Sequence, residues 1–315
     1  SFAGGGLASE KEMRERLDLA AGDKLSQRRL DEGVGRIRDI YTTRGYIYAS
    51  IDPEVSFDDV LGRARVTLRI REGSIATIAR VLVRGNDETK DKVVLREVLM
   101  KPGDIFDTER IRRSQERIYN LGFFEDVKVY TEPSMESGKE HLVFDVKERQ
   151  TGTISLGGGY SSQYGLVGFL QLTKANLFGL GIRVSAEWEI GQQRRNIQVD
   201  YFDPWFWDFP VSLGVGYWHT NRDLIRSYSE QSTGGSLEFG YRFWDYWRTT
   251  LGYKYEVSQV SQYGSTPLPV GTITAPQTTS SPSLSLTYDS RDNIFDPYRG
   301  WSHRWVGQVA GGPMP

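Results

Sequence analysis

The sequence has no cysteine, few histidines and almost no net charge. Without cysteine the chain can form neither a disulfide scaffold nor a thiolate metal site. Its three histidines, His141, His219 and His303, are too scattered along the sequence to suggest a metal site. A formal net charge of -2 gives no reason to expect a nucleic-acid partner. The composition therefore predicts no metal, no cofactor and no nucleic-acid site.

Long apolar runs are also missing. No run of about 18 apolar residues occurs, so a membrane-spanning helix is excluded. No signal peptide opens the chain, and a first residue other than methionine, Ser1, indicates a processed or trimmed start. A membrane protein with this sequence would have to be a β-barrel, because closed barrels and helices are the structures that satisfy the backbone in lipid.

Tryptophan is missing from the first half of the chain. All eight tryptophans lie between Trp188 and Trp305, whereas 55 of the 80 charged residues lie in the first 149 positions. Two regions with such different surfaces are predicted to face different solvents. The composition places their border near residue 150.

The first half contains a repeat. The segment from Leu17 to Tyr46 is similar to the segment from Leu95 to Phe124, and each is predicted to hold a short helical stretch, a Gly-Asp turn and a second helix ending at a glycine. Alternating strands follow in both copies. The core positions predicted for the second helices are Leu30, Val34, Ile37 and Tyr41 in the first copy, and Ile111, Ile118 and Leu121 in the second.

Each copy is predicted to be an α+β module of about 75 residues, with one strand, two helices and two strands. The first module spans residues 1–73, with its leading strand reduced to the segment SFAGGG, and the second spans residues 74–149. An exposed sheet edge in each module could accept a strand from a peptide.

The second half alternates apolar and polar residues, a period of two that is typical of β-strands. Ile182, Val184 and Trp188, for example, alternate with Arg183 and Glu187. Nine strands are predicted within residues 150–315, beginning near residues 152, 164, 181, 195, 211, 231, 247, 282 and 300. A soluble sandwich and a membrane barrel both show this alternation, so the turns must distinguish them.

Every second connection is short and aromatic. These connections are Asn176-Leu177-Phe178-Gly179, Asp203 to Pro210 (DPWFWDFP), Trp244 to Trp247, and Phe295 to Tyr298. The intervening connections are polar, and two, residues 220–233 and 261–281, are predicted to be long. Such sorting favours an antiparallel transmembrane β-barrel, whose turns at one end lie in an interfacial aromatic belt. The predicted belt residues are Trp205, Phe206, Trp207, Phe209, Trp244 and Trp247.

Tandem α+β modules that run directly into a barrel resemble the BamA family of outer-membrane assembly factors, and the modules resemble its POTRA domains. The motifs that carry the resemblance are Val83-Arg84-Gly85-Asn86, Arg96-Glu97, Leu121 to Phe124, Val146 to Arg149 with Thr151-Gly152, Asn176 to Gly179, and Asp289 to Asn293 with Pro297 and Gly300. The resemblance covers essentially the whole chain. It implies the last two POTRA domains, in the periplasm, and the first nine or so strands of an outer-membrane barrel of about sixteen strands.

The resemblance also implies a function and a site. The chain would fold and insert other β-barrel proteins without ATP and without enzymatic catalysis, at a seam where the first barrel strand offers free backbone groups. That strand runs from Thr151 to Ser162, and its predicted gate residues are Thr153, Ile154, Ser155, Leu156, Gly157, Gly158, Gly159 and Tyr160. A different interpretation of the three glycines is a kink that lets a wide barrel bend.

The partners implied are unfolded β-barrel clients, accessory lipoproteins and the lipid bilayer. Arg96 and Glu97, in the last POTRA domain, are predicted to contact an accessory lipoprotein, with a solvated helix face as the alternative for these charges. Two family features, an Arg-Gly-Phe loop in the lumen and the closing strand, are not in these residues.

Three other functions are compatible with parts of this pattern. A polypeptide-secreting transporter, of the two-partner secretion type or a translocation and assembly module, would share the layout. An outer-membrane enzyme would need a Ser/His or Asp/His constellation at the lumen or rim, and His219 and His303 fall toward opposite ends of the predicted strands. A passive porin would leave the repeated modules without a purpose.

Overall fold

The computed structural model describes residues 1–58, 63–162, 165–224, 228–262 and 273–311. Within them the chain forms two three-stranded sheets and one nine-stranded sheet. Two compact units are present. The first comprises Ser1–Asn86, Val94–Tyr119 and Asp126–Lys147, and the second comprises Asp87–Val93, Asn120–Glu125 and Glu148–Pro315. None of the described helices is long and apolar enough to cross a membrane.

The first module folds as one strand, two helices and two strands. Its elements are β1 (Phe2–Ala3), α1 (Glu10–Leu17), α2 (Gln27–Thr42), β2 (Ser50–Asp58) and β3 (Arg63–Arg71). The sheet order is β1-β3-β2, with β1 parallel to β3 and β2 antiparallel to it. The short leading segment therefore does supply the first strand of this module.

The second module repeats this arrangement. Its elements are β4 (Thr77–Arg84), α3 (Asp91–Leu95), α4 (Thr108–Tyr119), β5 (Phe124–Pro133) and β6 (Lys139–Glu148). The sheet order is β4-β6-β5, again with the first strand parallel to the last. The duplication predicted from the sequence is confirmed by this equal order of strands and helices.

The short helices lie earlier than predicted. The sequence repeat placed a helical stretch after Leu17, but α1 ends at that residue because Asp18 adopts a left-handed conformation, with φ 53°. Its start is fixed by the Ser9 side chain, which accepts the backbone N–H of Glu12. The glycines predicted to follow the long helices, Gly45 and Gly122, have φ of 92° and 77°, as helix termination requires.

The long helices bury the apolar positions that their spacing predicts. Leu30, Ile37 and Tyr41 of α2 are almost completely buried in the core of the first module, and Ile111 and Ile118 of α4 are buried likewise. Leu121 is only half-buried, because it lies beyond the end of α4.

The nine-stranded sheet is a continuous antiparallel meander. Its strands are β7 (Gly152–Ser161), β8 (Gly165–Leu177), β9 (Ile182–Gly191), β10 (Arg194–Asp203), β11 (Val211–Leu224), β12 (Tyr228–Arg242), β13 (Trp247–Gln262), β14 (Gln277–Asp289) and β15 (Ser302–Gln308). Each strand pairs with the next in sequence, and the described residues of this sheet form nine strands, the number that the sequence predicts. Every second connection consequently lies at the same end of the sheet.

One of the two long polar connections is much shorter than predicted. Residues 220–233 were expected to form a loop, but β11 continues to Leu224 and β12 begins at Tyr228. Polar side chains hold this extension: the Thr220 hydroxyl donates to Asn196 Oδ1 at 2.7 Å, and the Ser229 hydroxyl donates to Asn221 Oδ1 at 3.0 Å. Of the other predicted loop, residues 263–272 lie outside the described residues, and β14 begins at Gln277, earlier than predicted.

The strand register sorts the side chains onto two faces. One row of paired residues is Leu156, Leu170, Trp188 and Ile197, and a second is Leu213, Phe239, Leu251 and Leu284. We call the face that carries these rows the apolar face, and the face that carries Ser155, Glu187 and Glu238 the polar face. Many side chains of the apolar face are exposed, including Trp188 at 51% and Leu251 at 58%.

Candidate functional site

The predicted gate residues all lie in β7, at one end of the nine-stranded sheet. Within the described residues, β7 pairs with β8 alone, from Gly152 opposite Lys174 to Ser161 opposite Gly165. Its other edge therefore presents backbone N–H and C=O groups that no described strand occupies. This edge is the candidate site for adding a strand.

The three glycines of β7 keep the strand regular. The register passes through Gly157, Gly158 and Gly159 without a shift, and none of them has a positive φ. The backbone thus has no kink or bulge that would require glycine here. Ile154 and Leu156, which precede the glycines, are 75% and 82% exposed on the apolar face.

The predicted belt residues lie in or beside two aromatic turns. The first follows β10, where Asp203 Oδ1 accepts the backbone N–H of Trp205 at 2.9 Å and a single 3-10 turn, Phe206–Asp208, follows. The Phe206 and Trp207 rings stack with centroids 4.5 Å apart. Trp207, Phe209 and Trp244 are strongly exposed, whereas Trp205, Phe206 and Trp247 are half-buried.

The second turn joins a wider aromatic cluster. Trp247, at the start of β13, packs against Tyr288 at 5.2 Å and stacks on Trp305 at 6.1 Å between centroids. Phe243 and Trp244 lie beside it, 5.1 Å apart. Because Tyr288 and Trp305 belong to strands on either side of the last aromatic turn, this cluster lies at the end of the sheet where the aromatic turns are.

The two predicted partner-binding residues differ in their surroundings. Glu97 is buried, at 5% exposure, and its carboxylate accepts a hydrogen bond from Arg117 Nε at 3.0 Å. Arg96 is half-buried, and both residues come directly after α3. The alternative of a solvated helix face is therefore wrong for Glu97, because its side chain is buried and pairs with Arg117. Partner binding by these residues stays a prediction.

Sequence reasoning missed a buried polar network in the second unit. The Glu148 carboxylate accepts the backbone N–H groups of Glu88 and Thr89, at 2.9 and 2.7 Å, and the Thr89 hydroxyl. Asn176 Nδ2 donates to that same hydroxyl at 2.7 Å, and Asn176 Oδ1 accepts the N–H of Gly181 at 2.9 Å. The network thus ties the end of β6, the 87–93 segment and the first aromatic turn together.

The backbone of the first aromatic turn approaches the 87–93 segment closely. Lys90 N–H donates to the Gly179 carbonyl at 2.9 Å. A Cβ on Gly179, whose φ is 71°, would lie 2.0 Å from the Glu88 carbonyl oxygen, so only glycine fits. Asn176 to Gly179 is one of the motifs that carry the family resemblance, and the hydrogen bonds of Asn176 and the close approach at Gly179 give a physical reason for these two residues.

The last aromatic turn is held in a similar way. Asn120 donates from Nδ2 to the Asp292 carbonyl at 3.2 Å and accepts the Ile294 N–H at 3.1 Å. The Arg149 guanidinium lies 5.5 Å from the centre of the Phe295 ring and donates from Nε to the Gly122 carbonyl at 2.7 Å. Asp292 stabilises the turn from within, because its carboxylate accepts the backbone N–H groups of Tyr298 and Arg299, each at 3.2 Å.

Glu148 is the charged centre of the polar network. Desolvation by burial raises the pKa of its carboxyl, but the hydrogen bonds from Thr89 and from the backbone of Asp87, Glu88 and Thr89 outweigh this effect and lower the pKa below its usual value. Glu148 is therefore ionised at neutral pH. Among the described residues, no three His, Asp or Glu side chains are grouped so that they could hold a metal ion.

Comparison with known families covers both halves of the chain. The POTRA model, described as the surface antigen variable number repeat, matches residues 1–73 and 76–149, and the Omp85 superfamily domain matches residues 176–315. The outer membrane protein assembly factor BamA of Neorickettsia risticii is 28% identical over 322 residues, which cover 99% of this chain. The chain belongs to the BamA family. A second BamA, from Nitratidesulfovibrio vulgaris, is 28% identical over 283 residues and 88% of the chain.

A solved BamA has the same fold. The crystal structure of BamA from Haemophilus ducreyi lacking POTRA domains 1-3 superposes with a TM-score of 0.74 at 20% identity, over 98% of this chain and 62% of the solved one. The fold is thus POTRA repeats followed by the antiparallel sheet of a BamA barrel, and the protein is an outer-membrane protein with periplasmic POTRA domains. The chain spans 43% and 35% of the lengths of the two BamA relatives.

Proposed function

We propose that the full-length protein containing this chain folds β-barrel proteins and inserts them into the outer membrane. The observation that carries this proposal is the architecture: two POTRA modules are followed directly by an antiparallel sheet with an exposed apolar face, and β7 is the first strand of that sheet. The name of the BamA relatives, outer membrane protein assembly factor, supports the proposal. We further assign residues 1–73 and 74–149 to the last two POTRA domains and residues 150–315 to the barrel.

An unfolded client would add its strand to β7 through backbone hydrogen bonds. A free edge offers alternating N–H and C=O groups whatever the sequence of the incoming strand, so many clients can pair with one template. Gly157, Gly158 and Gly159 favour this role because they present no side chain that a client must match. The predicted gate, Thr153 to Tyr160, is the central part of this template.

The apolar face would bring a client strand that is paired with β7 into contact with lipid. Trp188, Phe239 and Leu251 are exposed on that face, which is what a sheet bordering hydrocarbon requires. The belt residues at the aromatic turns would place that end of the sheet at the interface between lipid and water. A client strand added to β7 would continue the same apolar face because neighbouring residues in a sheet share faces.

The POTRA domains would bind clients and partners outside the membrane. Each POTRA sheet has open edges, so an extended client segment could pair there before it reaches β7. We keep Arg96 and Glu97 as contacts for an accessory lipoprotein, with the half-buried Arg96 as the more accessible residue. The chain would act by binding and strand pairing, without catalytic residues, metal or cofactor.

The first experiment measures client folding in lipid vesicles that contain the full-length protein. An unfolded client barrel is added, and its folding is followed by its heat-modifiable mobility in gels, with empty vesicles as the reference. Faster client folding is expected. No acceleration, together with ion conductance or export of a polypeptide, would instead favour the secretion transporter.

A crosslinking variant tests the role of β7 itself. Gly158→Cys, joined by a short crosslinker to a cysteine on the closing strand of the full-length protein, should block client folding while the barrel stays folded. The matched control crosslinks Gly235→Cys to Tyr255→Cys, which are already paired between β12 and β13. Client folding that survives the first crosslink would exclude β7 as the template, and loss in both variants would point to general damage.

A further inference from the structure

A phenylalanine lies across the glycine segment of β7, on the polar face of the sheet. Phe169 of β8 is paired with Gly157. A Cβ on Gly157 would lie 2.5 Å from Cε1 and 2.6 Å from Cζ of the Phe169 ring. The ring therefore occupies the space that a side chain at position 157 would need.

The other two glycines do not share this environment. Gly159 lies on the same face two residues further along β7, and a Cβ there would have no heavy atom within 4 Å. Gly158 faces the other way, where its nearest neighbour is the Val167 carbonyl oxygen at 3.3 Å. Since none of the three has a positive φ, the backbone does not require glycine at 157. The ring does.

Phe169 is also unusual for its position. Its neighbours on the polar face include Gln171 and Thr173 along β8 and Glu189 across on β9. A phenylalanine here does not contribute to the face that meets lipid. An aromatic ring that covers a glycine on an edge strand restores the packing that the glycine lacks and shields the nearby backbone hydrogen bonds.

We propose that Phe169 is a positioning residue that holds β7 in register on β8 and so keeps the opposite edge of β7 available to a client. This inference rests on the function proposed above. The ring fits opposite a residue without a Cβ, so a slip that brought Ser155 opposite Phe169 would produce a clash. The pair thus disfavours a slip in that direction, in a strand whose glycines otherwise specify the register weakly.

The test combines substitutions at both positions and at a matched control. In the full-length protein in vesicles, without client, hydrogen exchange of the β7 amides is measured for Gly157→Val, Gly159→Val, Phe169→Ala and the double variant Phe169→Ala/Gly157→Val. Gly157→Val should accelerate exchange about tenfold because valine displaces the ring, and Phe169→Ala about fivefold. Gly159→Val should change exchange less than about twofold, since nothing lies above it.

The double variant and the client assay complete the test. Valine at 157 should fill the space that the ring leaves, so the double variant should exchange more slowly than Phe169→Ala alone. Client folding should slow about threefold in Phe169→Ala, because a loosened template must be ordered first, and should recover in Phe169→Tyr.

Several results would overturn the inference. Equal effects of valine at 157 and 159, unchanged β7 exchange in Phe169→Ala, or faster β7 exchange with unchanged client folding would each do so. Failure of the assembly function itself would be recognised separately, because the unmodified protein would then not accelerate client folding. The exchange measurements, which contain no client, would still report whether the ring holds β7.

Discussion

Apolar side chains are buried in the cores of the POTRA modules, whereas in the barrel sheet they are exposed on the apolar face. Ile37 of α2 has 0% exposure, whereas Phe239 of β12 has 42% and lies in a row of equally apolar neighbours. Both residues obey the period of their element, 3.6 in the helix and 2 in the strand. The period therefore selects the element, and the solvent decides on which side the apolar residues lie. One chain is built for water in its first half and for lipid in its second.

The largest effect is expected in the module core. Ile37→Ala should lower the free energy of unfolding of the first module by about 2–5 kcal/mol, because it removes buried methyl groups and leaves a cavity. Hydrogen exchange of the α2 amides in the full-length protein measures this loss. The control is Gly35→Ala in the same helix, where a Cβ would meet nothing within 4 Å and helix propensity should rise. Equal destabilisation by both variants would contradict a packed core around Ile37.

A charge on the apolar face tests the other half of the comparison. Phe239→Arg should destabilise the sheet by about 2–4 kcal/mol in vesicles, because the guanidinium would enter hydrocarbon, and Trp188→Arg should behave alike. Urea unfolding in lipid measures the change. Glu238→Arg, one residue away on the polar face, is the control and should cost much less. Similar losses at 238 and 239 would mean that the two faces do not meet different solvents.

The sequence predicts the fold better than it predicts strand ends. Periodicity and the internal repeat were sufficient for the module topology and for nine strands, because those signals extend over whole elements. The extension of β11 to Leu224 was missed because its last residues are polar and look like a loop. Cross-strand hydrogen bonds such as Thr220 to Asn196 make them a strand, and such partners are invisible in a single sequence.

The candidate site is predictable only where one segment forms it. β7 stands out in the sequence by its three adjacent glycines and its position directly after the second module. The polar network joins Thr89 to Glu148 and to Asn176, partners that are 59 and 87 residues apart. The alternative interpretation of Glu97 as a solvated charge was similarly wrong, because its partner Arg117 lies 20 residues further on. Both the polar network and the pairing of Glu97 depend on partners that are far apart in the sequence, so a single sequence does not reveal them.

The polar network of Glu148, Thr89 and Asn176 lies within the second compact unit. Its carboxylate has a lowered pKa in the folded state, so its stabilising effect is fully present above the unfolded pKa of about 4.3 and is lost as the pH falls through the folded value. Glu148→Gln should therefore lower stability by about 1–2 kcal/mol at pH 7 and reduce the acid sensitivity of the 87–93 segment. Hydrogen exchange of the Glu88 and Thr89 amides at pH 7 and at acid pH measures both effects.

Glu88→Gln is the matched control for Glu148. Its carboxylate is exposed and lies 3.8 Å from Lys174, so its removal should leave stability and the pH profile nearly unchanged. If Glu148→Gln kept the acid sensitivity of the unmodified protein, the network would not depend on this ionised carboxylate.

The smallest effect is expected where water and lipid meet. Trp207→Ala should lower the stability of the barrel in vesicles by about 0.5–1 kcal/mol, because Trp207 is exposed, stacks on Phe206 and would anchor in the interface. Urea unfolding in vesicles measures the loss. The control is Tyr130→Ala, an exposed aromatic residue of β5. If both substitutions had the same effect, the exposed aromatic turns would not be a membrane belt, and the contrast between the two regions would be limited to the apolar face.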